Sequence, residues 1–194
     1  MSQSTPTARR ATYQDLLAVP DNLVAEILDG ELITSPRPAS PHARAASLLG
    51  SDLIGSFDWP LGGSGRPGGW WLLFEPELQL GDDTVVPDLA GWRRERLPVL
   101  PNVAQFALAP DWACEVVSPG TEAIDRGPKR RIYANAGVSH LWLLTPLARP
   151  LEVFRRSGDL WTLVATFVGN EPIRAEPFDA VELDPARWWL ESGG

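Results

Sequence analysis

One lysine, one cysteine, two histidines and one methionine leave this chain few side chains with which to do chemistry at neutral pH. The lone Cys114 stands in an otherwise aliphatic stretch. It forbids an intramolecular disulfide and argues against secretion and against a cysteine-based zinc site. His42 and His140 are too few for a histidine-rich metal centre. Any metal would be held mainly by carboxylates, which favours a hard cation such as magnesium or manganese. The N-terminus carries Arg9 and Arg10 but no apolar core of signal-peptide length. No run reaches the roughly 18 apolar residues of a membrane span. The expectation is a soluble, cytoplasmic protein.

Positive charge is scarce as well. A net charge of −8 opposes a general role in coating nucleic acid, because phosphate binding depends on basic surface. A nuclease remains compatible, since acids clustered at a metal site add to the negative total and are neutralised by the ion. The runs WRRER (92–96) and KRR (129–131) are either local phosphate contacts or ordinary solvated faces.

The 194 residues, 44% of them hydrophobic, suffice for one globular domain with a sizeable core. We expect a flexible segment over 1–11 and a single domain over 12–194. Thr12 with Asp15 fits a capping box for a helix over about 12–18. Asp29-Gly30 between two apolar-rich runs signals a hairpin. Ala45, Leu48, Leu49, Leu53 and Ile54 recur at helical spacing to about Phe57. PLGGSGRPGG (60–69) reads as a loop. WWLLFEPELQL (70–80) and TVVPDLAGW (84–92) read as strands, 93–110 as irregular, and DWACEVVS (111–118) as a buried strand. A helix over about 126–135 closed by Gly137, a buried strand HLWLLT (140–145), a hairpin and a terminal element complete the chain. This order indicates a mixed α/β domain whose sheet has a crossover helix.

Lys129 is the one lysine beside sixteen arginines. In a chain so biased toward arginine, a surviving lysine points to chemistry that a guanidinium cannot do, since an ammonium pKa can be lowered by its surroundings. The plainer reading is a solvated surface lysine. Asp88, Glu115 and Lys129 fall on successive core elements, and two carboxylates on neighbouring buried strands need compensation. A divalent metal supplies it, and so does a buried salt bridge to Lys129.

The runs VAEILDGEL, SPHARA, VPDLAGW, ACEVVSP and DRGPKRRIYANAGVSHLWLLTP, in that order, resemble the Uma-type family of restriction endonucleases, a branch of the PD-(D/E)XK nuclease superfamily. The resemblance spans roughly Tyr13 to Phe154. It implies a restriction-endonuclease-like αβββαβ core with a mixed central sheet flanked by helices, plus an N-terminal hairpin and C-terminal strands. It implies a magnesium- or manganese-dependent endonuclease acting on DNA, with Asp88 and Glu115 as metal ligands. The superfamily commonly has lysine two residues after the second acid, where this chain has Val117. The resemblance places the displaced lysine at Lys129, and Glu26 matches an acid that helps to hold or orient the metal. The family tyrosine before Glu26 is Ala25 here. Its Tyr-Trp and Asp-Pro pairs are Leu141-Trp142 and Thr145-Pro146.

The implied mechanism has Asp88, Glu115 and the carbonyl of Val116 fixing the metal while Lys129 orients the attacking water or stabilises charge on phosphorus. Lys129→Ala is then expected to abolish cleavage and leave the fold intact. Weaker candidates are His42, for substrate contact or a cap, and Glu75, which could face the same site. Cys114 should point to the opposite face of its strand from Glu115. Trp70, Trp71, Trp188 and Trp189 could bury surface in a homodimer. Two other classes stay open: an inactive nuclease-fold binding or scaffold protein, and a metal hydrolase of another phosphorylated substrate.

Overall fold

The computed structural model describes residues 9–189, so most of the N-terminal segment expected to be flexible, residues 1–8, lies outside the described residues. Just beyond it, the Ala11 N–H donates to the Gly30 carbonyl at 2.7 Å. Helix α1 (Tyr13–Leu17) begins with a reciprocal capping box between Thr12 and Asp15, which satisfies the first free amides. Strands β1 (Leu23–Leu28) and β2 (Glu31–Pro36) pair antiparallel. Asp29 at φ 56° and Gly30 at φ 85° supply the two positive angles that a tight hairpin turn requires. Helix α2 (Ser40–Phe57) carries Pro41 in its first turn and buries Ala45, Leu49, Leu53 and Phe57 along one stripe.

The stretches 70–80 and 84–92 each divide at a proline, where single strands were expected. Strands β3 (Trp70–Phe74) and β4 (Glu77–Leu80) flank Pro76; β5 (Asp83–Val85) and β6 (Leu89–Arg93) flank Pro87. Proline offers no N–H to a ladder, and Glu75 turns the chain at φ 45°. In both cases the chain crosses from one sheet to another. Sequence alternation continues across these breaks, so the two segments read as continuous.

Strand β7 (Gln105–Phe106) is short; β8 (Trp112–Val116) is buried throughout. A helical segment follows: α3 (Glu122–Ile124), a π-helical turn (Asp125–Lys129) and α4 (Arg130–Asn135), closed by Gly137 at φ 86°. It begins four residues earlier than its expected start at 126. Strands β9 (His140–Leu144), β10 (Pro150–Ser157) and β11 (Leu160–Val168) finish the main chain path. A bridge between Ile173 and Leu183 and a 3-10 turn (Pro185–Arg187) form the terminal element.

The large sheet has the order β11-β10-β9-β8-β6-β3, with β8 and β9 parallel and every other pair antiparallel. The small sheet has the order β2-β1-β5-β4-β7, in which β4 and β7 are parallel. Reading α2, β3, β6, β8, α4 and β9 in turn gives the αβββαβ core. The expected N-terminal hairpin is the outer part of the small sheet.

Alternation along β8 divides the core. Trp112, Cys114 and Val116 join α2, Trp142, Phe178 and Trp188 on one face; Ala113 and Val117 join Ile132, Tyr133 and Leu143 on the other. Cys114 therefore points away from Glu115, as expected. Trp70, Trp188 and Trp189 are buried within this core, and the Trp71 indole donates to the Leu97 carbonyl at 2.9 Å. Three of the four rings thus fill the fold itself, and Trp71 is half-buried.

Candidate active site

Asp88 lies one residue before β6, at the seam where the chain returns from the small sheet to the large one. The register that sets Leu89 opposite Cys114 brings Val116 level with Pro87, which has no N–H to pair. The Val116 N–H donates instead to Asp88 Oδ2 at 2.7 Å.

From above the seam, α2 brings His42 Nε2 to 2.5 Å from Asp88 Oδ1. Burial works against charge on this imidazole, but the hydrogen bond and charge of Asp88 outweigh it and raise the His42 pKa. The capping alternative does not apply, because no side chain caps α2 and His42 sits inside it.

Glu115 projects toward the helical segment, where Tyr133 donates to its Oε1 at 2.5 Å and Lys129 Nζ lies 2.9 Å from the same oxygen. Nζ also lies 3.0 Å from Glu26 Oε1 and 3.9 Å from Asp125 Oδ1, and it donates to the Val86 carbonyl at 3.1 Å. Glu26 Oε1 accepts the Val86 N–H at 2.8 Å, so the small sheet, the large sheet and the helix meet on one ammonium.

Lys129 is only 3% exposed, so the solvated-surface reading is excluded. Burial disfavours its charge, yet Glu115, Glu26 and Asp125 hold its pKa above the ordinary lysine value. The expected route to reactivity, a lowered lysine pKa, is therefore reversed. Truncating Lys129 to alanine would strand buried carboxylates, so that variant carries a stability cost as well.

Burial pushes the Glu115 pKa well up; Lys129 pulls it back, while Asp125, Asp88 and Glu26 push it further. Asp125 is raised to about 6, chiefly by burial, with Lys129 and the Thr121 hydroxyl opposing. Sequence reasoning missed Asp125. Its signal was available: it stands four residues before Lys129, the spacing that puts two side chains on one helical face.

Glu26, His42, Asp88, Glu115, Asp125 and Lys129 line a cleft of about 270 Å³ with Val24, Pro36 and Ile124 among its apolar walls. The charged lining consists of Glu26, Glu75, Asp88, Glu115 and Asp125 against Lys129, Arg37 and His42. Glu75 does reach this cleft, where Arg37 lies 3.6 Å from it.

The expected basic runs are largely engaged within the fold. Arg93 stacks over Trp70, Arg94 over Trp71 while binding Asp58, and Arg96 pairs with Asp111. Arg130 covers Phe154, and Arg131 pairs with Asp29 at the hairpin turn.

Among the described residues, no helix is long and apolar enough to cross a membrane. No curated protein matches the chain. A solved structure that does match is titled a "putative nuclease belonging to DUF820" from Anabaena variabilis ATCC 29413. It has a TM-score of 0.73 and 21% identity, covering 93% of this chain and 99% of that one, which shows a shared fold. The family model described as "Uma2: Putative restriction endonuclease" matches residues 10–186, and the chain belongs to that nuclease family.

Proposed function

We propose that this protein is a magnesium- or manganese-dependent endonuclease that hydrolyses phosphodiester bonds in DNA. The observation that carries the reading is the charge imbalance around Lys129. One ammonium lies among the buried carboxylates of Glu26, Glu115 and Asp125, and Asp88 stands at the same cleft. Buried carboxylates in excess of their cations either hold protons or take up a cation.

The donor set fits a hard divalent ion. Asp88, Glu115 and the carbonyl of Val116 would hold it. Among the described residues no three His, Cys, Asp or Glu side chains gather closely enough to enclose an ion alone, so water would complete the coordination, as magnesium prefers. When bound, the cation supplies Lewis acidity and lowers the pKa of its water. Lys129 keeps its charge, and with its three N–H groups directed at Glu115, Glu26 and the Val86 carbonyl it would stabilise negative charge on the phosphoryl group through space. Tyr133 and Lys129 fix the Glu115 carboxylate, and Glu26 holds the ammonium in place. DNA is the substrate class named by the restriction-endonuclease family.

The test is cleavage of supercoiled plasmid with magnesium, manganese or EDTA. Cleavage should need the cation and disappear in Asp88→Asn and Glu115→Gln. Absence of cleavage with either metal, or full activity in both variants, refutes the reading. An inactive scaffold would give the first result. A hydrolase of smaller phosphodiesters would instead turn over a nitrophenyl phosphodiester while sparing plasmid.

A further inference from the structure

We propose that Asp125 is the general base that takes the proton of the attacking water, an inference that rests on the nuclease reading above. Hydrolysis forms a bond from the water oxygen to phosphorus and breaks a phosphorus–ester oxygen bond. The water proton passes to the Asp125 carboxylate. The leaving alkoxide is protonated by solvent, and Asp125 returns its proton to solvent afterwards.

The assignment follows from what each neighbour is already doing. Lys129 is held protonated among acids and accepts nothing. Glu115 Oε1 receives both Tyr133 and Lys129. Asp88 has one oxygen on His42 and the other on the Val116 N–H. Glu26 Oε1 is shared by Lys129 and the Val86 N–H.

Asp125 accepts the Thr121 hydroxyl but no hydrogen bond from Lys129. Its Oδ1 lies 3.9 Å from Nζ, close enough to be attracted and too far for a hydrogen bond. It lines the cleft, and it is carried by a π-helical turn, a backbone form frequent at functional sites. Pro128 sits within that turn, so one amide of the segment has no hydrogen to give.

The groups acting on Asp125 come from every surrounding element: Lys129 and Thr121 on its own segment, Glu26 from β1, Asp88 before β6 and Glu115 from β8. His42 on α2 is coupled to it as well. Their balance leaves the carboxylate at about 6, suited to accepting a proton near neutral pH.

The experiment compares wild type with Asp125→Asn and Thr121→Ala in magnesium-dependent cleavage from pH 5 to 9. Asp125→Asn should lower kcat by about 10²- to 10⁴-fold with little change in KM, and should remove the acidic limb of the profile. Thr121→Ala, which deletes a hydroxyl that lowers the Asp125 pKa, should move that limb to higher pH while leaving the helical segment folded. Two readouts do not depend on turnover. Carbon-13 titration of the metal-free protein should show the Asp125 step in wild type and none in Asp125→Asn, and manganese affinity by calorimetry should stay within about threefold.

An unchanged acidic limb in both variants overturns the inference. So does manganese affinity that falls in step with the rate, which would make Asp125 a metal ligand. A wild-type protein that cleaves nothing fails the nuclease reading itself, a distinct result.

Discussion

Replacing Lys129 by methionine keeps the approximate volume of the side chain and deletes its charge. Nζ sits 2.9 Å from Glu115 and 3.0 Å from Glu26, with a side chain only 4% exposed, so water cannot stand in for it. Removing one partner of a buried ion pair costs about 3–5 kcal/mol. In a domain of this length each kcal/mol moves Tm by roughly 2–4 °C, so the fall should be about 6–20 °C at pH 8. The loss should shrink at pH 5.5, because protonated acids no longer need the ammonium. Adding Glu115→Gln to Lys129→Met should recover about half of the loss, since the two groups are coupled. Circular-dichroism melts in EDTA at both pH values measure all three quantities. A drop below about 2 °C at pH 8, or an equal drop at both pH values, would refute the charge-cluster reasoning.

Tyr133→Phe removes the hydroxyl that donates to Glu115 Oε1 at 2.5 Å; thermal melts should show a loss of about 1–3 kcal/mol, and kcat should suffer more than KM. Saturating manganese near 100 times its Kd should add about 2.7 kcal/mol to wild type, read as a Tm rise of about 5–10 °C, and nothing to Glu115→Gln. Asp125 has its native pKa raised to about 6, so the folded state binds protons that the unfolded chain has released. Its contribution therefore makes metal-free stability fall as pH rises from about 4 to 6 and level off above; Asp125→Asn should flatten that slope in denaturant titrations. Gly91→Ala would place a Cβ 2.8 Å from Leu72 and 3.3 Å from Trp112, so chemical denaturation should report a loss of about 1–3 kcal/mol.

Local signals carried a good part of this structure. Thr12 and Asp15 cap α1, and Asp29-Gly30 makes its hairpin, because each depends on atoms only a few residues apart. Asp88, Glu115, Lys129 and Glu26 could be named from motifs, and the fold brings all of them to one cleft. What the sequence left open is three-dimensional. His42 meets Asp88 only because α2 crosses the sheet above residue 88, forty-six positions away in the chain. Glu75 joins the lining only because Pro76 breaks a run that alternates well enough to be one strand. The basic runs looked available for phosphates until Trp70, Trp71 and Phe154 claimed their guanidinium planes. Asp125 was within reach, but its value depends on burial, and burial is not written in spacing.

The two proline crossings have a consequence for how this protein can change. Glu75-Pro76 leads out of the large sheet and Pro87-Asp88 leads back, so β4 and β5 hang as a single loop from the β3–β6 pair. The Glu75 N–H donates to the Asp88 carbonyl at 3.1 Å, pinning the neck of that loop. The Gly81-Asp82 turn beyond the neck lies outside the cleft, which takes only Glu75, Val86 and Asp88 from this part of the chain, so material added or removed there leaves the strands that present Asp88 and Glu115 in place. Variants with longer or shorter β4–β5 turns should therefore keep both the cleft and the groups it presents.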